Sequence, residues 1–257
     1  MLIDTHSHLN FADFDKDRDE IIKRCLDNDI WLINVGVDFE TSKKAVEIAG
    51  RYEKGVYAAV GLHPMDVLEK DFDYKRYKKL VQSPKVVAIG EIGLDYKYPT
   101  DKNAQKQIFI EQIKLACELN LPIIIHCRLA YNDLIKILSQ NLHPLGPYKL
   151  KGVVHCFTGS WQEAEKYLTL GFYIGFTGII FRKIKGADFE EIIKKIPLNR
   201  ILVETDCPYL TPPNFGEKRN NPLAVKHIVE YIAKIKNKNF SKIAEVSFQN
   251  AKDLFGI

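Results

Sequence analysis

The chain has 257 residues, of which 46% are hydrophobic and 27% are charged, with 15 Gly and 11 Pro. These proportions exclude collagen-like and low-complexity chains, and the length suffices for one large core. The 37 Lys and Arg nearly balance the 33 Asp and Glu, so the net charge of +4 excludes a histone-like basic tail but permits a local basic patch.

Short apolar segments rich in β-branched residues alternate with amphipathic segments along the chain, which is the pattern of alternating strands and helices. The predicted strands, in chain order, are residues 2–6, 30–35, 56–60, 86–90, 122–126, 152–155, 172–176 and 200–204. Helices are predicted between them and after the last strand, at residues 17–28, 41–53, 104–120, 130–140, 161–170, 188–196, 223–236 and 241–255.

This order predicts an α/β protein with a parallel sheet, because each helix carries the chain back to the start of the next strand. Eight such units fit a closed (β/α)8 TIM-type barrel with extra C-terminal helices better than an open, doubly wound sheet. No Gly-, Pro- or Ser-rich linker interrupts the series, so we expect residues 1–257 to form a single domain. The alternative is an open sheet of the flavodoxin or Rossmann type. A dinucleotide-binding sheet of this type is excluded, because no G-x-G-x-x-G follows any strand.

The sequence also predicts a cytoplasmic protein that does not enter a membrane. Its first residues lack the basic and apolar regions of a secretory signal, and the longest nearly apolar run, residues 171–181, is too short to span a bilayer. The five cysteines are widely spaced and form no C-x-x-C pair, as expected for reduced thiols. Nothing in the sequence points to an obligate protein partner.

Histidines gather where the predicted strands end. Five of the seven lie at or just past the carboxyl end of a strand, namely His6, His8, His63, His126 and His155. TIM barrels carry their active sites at this end. The other two, His143 and His227, are expected on the surface.

Six side chains at the strand ends predict a metal centre, and these are His6, His8, Glu91, His126, His155 and Asp206. The H-x-H pair places two imidazoles on one face of its strand, although alone it is weak support. The other four follow apolar runs, where burying them without partners costs several kcal/mol. Imidazoles and carboxylates suit Zn²⁺, Mn²⁺ or a similar ion. Because six ligands exceed those of one catalytic zinc, we expect two divalent ions bridged by a carboxylate.

Cys127 and Cys156 directly follow two of these proposed ligands. Neighbouring residues of a strand face opposite sides, so the two thiols are expected to point toward the helices. We therefore interpret them as buried packing residues rather than metal ligands or nucleophiles. For Cys207 the same reasoning is weaker, because it lies beyond the strand end.

Six motifs occur in a characteristic order: DTHSHLN, GLHP, GEIGLDY, PIIIHCRLA, HCFTG and ETDCPYLTPP. By these motifs the chain resembles the TatD-like metal-dependent hydrolases, which belong to the wider group of amidohydrolase-like barrels. The resemblance runs from Ile3 to Phe255, nearly the whole chain. It implies that one ion is held by His6, His8 and Asp206, a second by His126 and His155, and that Glu91 bridges them.

The resemblance further implies a divalent-metal-dependent deoxyribonuclease of the 3′–5′ exonuclease type, with two Zn, Mg or Mn ions activating a water. DNA, as single strands or 3′ ends, would be the substrate, and Asp206 could take the proton of the water. One alternative keeps the metals and changes the substrate to an ester or amide, as in a D-aminoacyl-tRNA deacylase. Another alternative is a nucleic-acid-binding protein without activity.

Several residues near the proposed ligands have two interpretations each. His63 could contact a substrate phosphate or leaving group, or it could be a loop histidine bonded to backbone. Arg128 could pair with a phosphate, or form a salt bridge to Glu204. Asp4 and Glu204 could orient metal-binding histidines, or make structural hydrogen bonds only.

Two further sets lie in loops at the predicted barrel mouth. Four aromatic residues could stack on bases or simply pack in their loops, and they are Tyr96, Phe157, Tyr209 and Phe215. In the long loop after the last strand, Lys218, Arg219 and Asn221 could bind phosphate or be solvated.

Overall fold

A computed structural model describes residues 1–97, 101–141 and 150–257. Eight parallel strands form one sheet in sequence order: β1 Leu2–Ser7, β2 Ile30–Val35, β3 Val56–Val60, β4 Val86–Asp95, β5 Ile123–Arg128, β6 Gly152–Val154, β7 Tyr173–Phe176 and β8 Ile201–Val203. A bridge between Ser7 and Cys207, together with a hydrogen bond from the Asp206 N–H to the His6 carbonyl (2.8 Å), joins β1 to the chain after β8. The predicted TIM-type barrel is confirmed.

Helices cover the outside of the barrel, and within the described ranges they are α1 Arg18–Asp27, α2 Phe39–Ala49, α3 Tyr74–Leu80, α4 Lys102–Glu118, α5 Tyr131–Asn141, α6 Trp161–Thr169, α7 Phe189–Lys195, α8 Val225–Lys236 and α9 Phe240–Phe255. Helix α3 is absent from the predicted elements. It is only seven residues long and has one fully buried side chain, Tyr77, so its apolar pattern is too short to identify a helix in the sequence. Among the described residues as a whole, no helix combines the length and apolar character needed to cross a membrane.

The barrel interior is filled and closed at one end. One apolar cluster contains a residue from every strand, including Ile3, Ile124 and Leu202, whereas their strand neighbours Leu2, Ile123 and Ile201 belong to the cluster that includes the helices. Because neighbouring residues of a strand face opposite sides, the first cluster fills the inside of the barrel. Leu254 and Phe255 of α9 join this cluster. Helix α9 therefore covers the amino end of the barrel, which leaves the carboxyl ends of the strands as the accessible mouth.

Strand β4 differs most from its prediction. It continues past Gly90 to Asp95, so Glu91 and Asp95 both belong to the strand. Strands β6 and β8 are shorter than predicted, which places His155 and Glu204 just beyond their ends. All these side chains consequently lie at the barrel mouth.

Candidate metal centre

The six predicted ligands come together at the barrel mouth around the carboxylate of Glu91. Oε2 of Glu91 lies 3.3 Å from Nε2 of His6 and 3.9 Å from Nε2 of His8. The other oxygen, Oε1, lies 2.8 Å from Nδ1 of His126 and 3.0 Å from Nε2 of His155. Each oxygen of one carboxylate therefore faces a different pair of imidazoles, as a ligand bridging two ions would.

Asp206 completes a group with the H-x-H pair. Its Oδ1 lies 3.3 Å from Nε2 of His8 and 3.9 Å from Nε2 of His6, and the two Nε2 atoms are 3.2 Å apart. The three ligand atoms lie within 4.8 Å of one another. Asp206 adopts a left-handed backbone conformation (φ 55°), held by the hydrogen bond of its N–H to His6.

Two further groups of mutually close donors share Glu91. One contains His6 and His155, whose rings stack with centroids 3.8 Å apart, and the other contains His63 and His126. His126 and His155, which the resemblance assigns to one ion, both contact Oε1 of Glu91 but belong to different groups. Their ring centroids are 6.0 Å apart.

The hydrogen bonds of His8 show that a cation fits between these donors. Nδ1 of His8 lies 2.8 Å from the carbonyl oxygen of Val35, which can only accept, so Nδ1 carries the proton. In the neutral ring Nε2 then presents a lone pair, which faces the carboxylate of Asp206 at 3.3 Å. Two electron-rich atoms so placed repel each other unless a positive charge lies between them, either a second proton on the ring at Nε2 or a metal ion. A divalent ion suits this donor set.

Both carboxylates are held in the ionised form. Burial raises the pKa of Glu91, but the imidazoles of His155, His63 and His6 outweigh it and bring the pKa well below its usual range. Burial acts on Asp206 in the same way and is outweighed by the hydrogen bond with His8 and by nearby imidazoles, so its pKa is also lowered. Burial lowers the pKa of His6, which favours the neutral ring that a metal ion requires.

Comparison with known proteins identifies the family of the chain. Residues 3–256 match the family model described as TatD related DNase. The chain belongs to the TatD family. It is a metal-dependent hydrolase of that family, as the sequence motifs indicate.

Relatives cover the whole chain. It is 42% identical to an uncharacterized metal-dependent hydrolase, YabD, of Bacillus subtilis, over 100% of both chains. It is 33% identical to a protein of Shigella flexneri named 3′-5′ ssDNA/RNA exonuclease TatD, covering 100% of this chain and 99% of that one. The crystal structure of YJJV, a TatD homologue from Escherichia coli, superposes with a TM-score of 0.90 at 30% identity, covering 100% of this chain and 98% of that one.

Asp95 also contacts this cluster, although it is not among the site residues predicted from the sequence. Its Oδ2 lies 3.0 Å from Nε2 of His126, on the opposite side of the ring from Glu91. Gln105 of α4 holds the Asp95 backbone, accepting from its N–H and donating to its carbonyl, both at 2.9 Å. The signal lay in the GEIGLDY motif, but the predicted strand ended at Gly90 and left Asp95 without a role.

The structure shows the backbone bond expected of a loop histidine at His63, while its contact with substrate stays a prediction. Its Nδ1 accepts a hydrogen bond from the N–H of Met65 (3.2 Å), and burial lowers its pKa. The neutral ring therefore carries its proton on Nε2, which lies 3.5 Å from Oε1 of Glu91. A protonated nitrogen cannot bind a metal, so His63 presents a hydrogen-bond donor to the site.

Glu204 and Asp4, which each precede a proposed ligand by two residues, differ in their contacts. Glu204 is buried, with Oε2 3.4 Å from Nδ1 of His155, and it accepts from the N–H of Cys156 at 3.0 Å. That geometry suits orientation of a histidine. Asp4 instead accepts from the N–H of Thr205 (2.8 Å), a structural bond between β1 and the chain after β8, and from the N–H of His6 (3.2 Å) within β1.

Arg128 lies at the end of β5 and is exposed. Its charge acts on Asp95, helping His126 to lower the pKa of that carboxyl against the effect of burial. Glu204, the alternative salt-bridge partner, is engaged with His155 and Cys156 instead.

The aromatic residues that could stack on bases differ in their exposure. Phe157 is 1% exposed and packs against Tyr131 and Tyr167, so the stacking interpretation is wrong for it. Tyr209 is 56% exposed, and the nearby carboxylates of Asp13, Asp206 and Glu91 add to burial in raising its pKa, which places its hydroxyl near the mouth.

The remaining two aromatic residues have contacts of their own. The hydroxyl of Tyr96 donates to Asp133 at 2.8 Å, with the Lys102 ammonium 4.5 Å from its ring centroid. Phe215 lies edge-on to His227, with ring centroids 5.8 Å apart. His227 itself is partly exposed on α8, whereas His143 lies outside the described residues.

Two of the three candidates in the loop after β8 have structural partners. Arg219 pairs with Asp17, and Asn221 caps the short helix Pro222–Ala224. Lys218 is exposed. Cys127 and Cys207 are buried and Cys156 is partly buried, and burial raises the pKa of Cys127 and of Cys156 to about 12, so those two thiols are not poised as nucleophiles.

Proposed function

We propose that this chain is a deoxyribonuclease that hydrolyses phosphodiester bonds at the 3′ ends of single-stranded DNA. The observation that carries the proposal is the Glu91 carboxylate whose two oxygens face different imidazoles, beside the close approach of His8 Nε2 to the carboxylate of Asp206. Buried carboxylates and imidazoles gathered this closely cost free energy unless positive charge lies among them, and divalent ions would supply that charge.

We assign one ion to His6, His8 and Asp206, a second to His126 and His155, and the position between them to Glu91. When bound, the two ions would lower the pKa of a water to near neutrality and stabilise the charge that develops on phosphate oxygens. Zn²⁺, Mn²⁺ and Mg²⁺ are the candidates for this donor set.

The chain's own groups supply proton transfer and orientation. Asp206 is the carboxylate that accepts a proton from water, because its side chain is 16% exposed whereas that of Glu91 is 5% exposed. His63 donates from Nε2 to a phosphate oxygen or to the leaving group. Arg128, exposed at the same mouth, pairs with a neighbouring phosphate.

The names of relatives support a single-stranded nucleic acid as substrate, and we propose DNA. The proteins of Shigella flexneri and Erwinia tasmaniensis, 33% and 34% identical, are named 3′-5′ ssDNA/RNA exonuclease. A phosphodiester also offers the anionic oxygens that a Lewis-acid site and Arg128 would bind. All five cysteines are free, which fits the reducing cytoplasm in which we place the enzyme.

The test is hydrolysis of single-stranded DNA labelled at either end, with Mg²⁺ or Mn²⁺. We expect the 3′-labelled strand to release its label as a mononucleotide at once, and the 5′-labelled strand to shorten step by step. Activity should be lost in Glu91→Ala but kept in Glu190→Ala, which removes an exposed carboxylate of α7. Faster cleavage of D-aminoacyl-tRNA than of DNA would favour the deacylase alternative. Tight DNA binding without turnover under any divalent ion would favour a non-catalytic binding protein.

A further inference from the structure

A basic turn follows β7 at the barrel mouth. After the short helix Gly178–Phe181, the chain makes a tight turn closed by a bridge between Ile184 and Ala187, with Gly186 at a φ of 90°. We call this segment the basic turn, and its charged residues are Arg182, Lys183 and Lys185, all exposed.

The segment that leads into the basic turn packs against the loops that carry two proposed ligands. A Cβ on Gly178 would lie 1.9 Å from the carbonyl oxygen of Leu210, so this glycine lets the backbone touch the loop after Asp206. On the other side, Oγ1 of Thr177 lies 3.1 Å from Sγ of Cys156, the neighbour of His155. The basic turn is thus anchored beside the metal centre.

Packing holds the charges outward. Phe181, Ile184 and Ala187 contact the main apolar core, whereas the basic side chains between them are exposed. Such an anchored turn loses less conformational entropy on binding than a loose basic loop would.

The positive charge of the basic turn is not neutralised by the described residues. None of the ion pairs found among residues 1–97, 101–141 and 150–257 involves its arginine or lysines. Acidic groups elsewhere at the mouth are paired, since Asp15 contacts Arg18 and Lys44, and Asp38 contacts Lys70. The basic turn therefore adds unpaired positive charge to the side of the mouth next to Asp206 and His155.

We propose that the basic turn binds the sugar–phosphate backbone of the polynucleotide next to the bond being cleaved, an inference that rests on the proposed nuclease function. Exposed lysines that neutralise phosphates release counterions, so their contribution depends on salt and not on base sequence. The basic turn thus provides affinity for long substrates, while the metal centre performs the cleavage.

The test compares Lys183→Gln/Lys185→Gln with the matched variant Lys54→Gln/Lys151→Gln, which removes two exposed lysines near the starts of β3 and β6, at the opposite end of the barrel. Binding of a fluorescent single-stranded 20-mer to metal-free protein is measured by anisotropy across a salt series. We expect the turn variant to bind on the order of ten-fold more weakly near 0.1 M salt, with a salt slope smaller by about 1.4. The same loss is expected for different base sequences.

Kinetics separate this inference from the nuclease proposal. In the turn variant, KM for the 20-mer should rise by more than KM for a dinucleotide, because the dinucleotide lacks neighbouring phosphates. Equal Kd values and salt slopes in the turn and control variants would overturn the role of the basic turn and leave the nuclease standing. Failure of the unmodified protein to cleave any oligonucleotide would overturn the nuclease itself.

Discussion

Oδ2 of Asp95 lies 3.0 Å from Nε2 of His126, while the other ring nitrogen, Nδ1, lies 2.8 Å from Oε1 of Glu91. Burial lowers the pKa of His126, but the hydrogen bonds with Asp95 and Glu91 outweigh it and raise the pKa overall. Asp95 thus fixes the ring so that Nδ1 points to the centre of the site. A carboxylate behind a metal-binding histidine commonly has this role.

Asp95→Ala should therefore weaken metal binding without removing a ligand. The expected loss of affinity is about 10- to 100-fold, the range typical of such supporting groups. Titration calorimetry of the metal-free protein with Zn²⁺ or Mn²⁺ measures it. Asp133→Asn is the control, because that carboxylate bonds Tyr96 and Lys106 rather than a histidine. Equal affinities in the two variants would show that Asp95 does not support the site.

His63 and His126 should separate catalysis from metal binding. Because Nε2 of His63 carries a proton, His63→Ala should lower kcat about 100-fold or more while the bound metal per chain stays the same. His126→Ala should instead reduce the bound metal, which elemental analysis after dialysis measures. His227→Ala, on α8, controls for the loss of an imidazole. Loss of metal from the His63 variant would make that residue a ligand.

Asp4 should matter for stability more than for metal binding. In Asp4→Ala, the buried N–H groups of Thr205 and His6 lose their acceptor, which costs about 1–3 kcal/mol per group. Urea unfolding of the metal-free protein should show a free energy of unfolding lower by about 3 kcal/mol, with a smaller loss in Asp4→Asn, which keeps an acceptor oxygen. A variant of unchanged stability but reduced metal affinity would give Asp4 a role in orienting His6.

The strand ends were the informative part of the sequence. In a parallel barrel the carboxyl ends of all strands lie at the same end, so a polar residue that follows an apolar strand lies at the mouth. The six proposed ligands could therefore be brought together from the sequence alone. Which of these donors are close to one another could not be predicted, because it depends on side-chain directions. The grouping of His155 with His6 shows this.

The predicted fourth strand ended at Gly90, whereas β4 continues to Asp95. Gly90 and Gly93 lie inside β4, where they allow β5 to approach closely. A Cβ would lie 2.6 Å from Cβ of Ile124 at Gly90 and 2.0 Å from the His126 carbonyl oxygen at Gly93. Asp95 was missed because the predicted strand ended before it. The sequence left open whether Phe157 stacks on bases or packs, because its packing partners Tyr131 and Tyr167 come from other elements, which a local pattern cannot show.

Gly175 of β7 offers a test of how Glu204 acts on His155. A Cβ at this position would lie 2.2 Å from Oε1 of Glu204, so Gly175→Ala must displace that carboxylate. Since Oε2 of Glu204 lies 3.4 Å from Nδ1 of His155, the displacement should loosen the ring and lower metal affinity about ten-fold or more. Gly50→Ala is the control, because its Cβ would meet only ordinary contacts from 3.4 Å at the end of α2.

A double-mutant cycle decides whether the effect of Gly175→Ala passes through Glu204. If it does, adding Gly175→Ala to Glu204→Ala should change metal affinity little further, because the displaced group is already gone. Losses that simply add would mean that the methyl group disturbs the barrel by another route. Calorimetric titration of the four proteins with the same ion gives the coupling, and urea unfolding of each shows whether any loss of affinity comes from loss of fold.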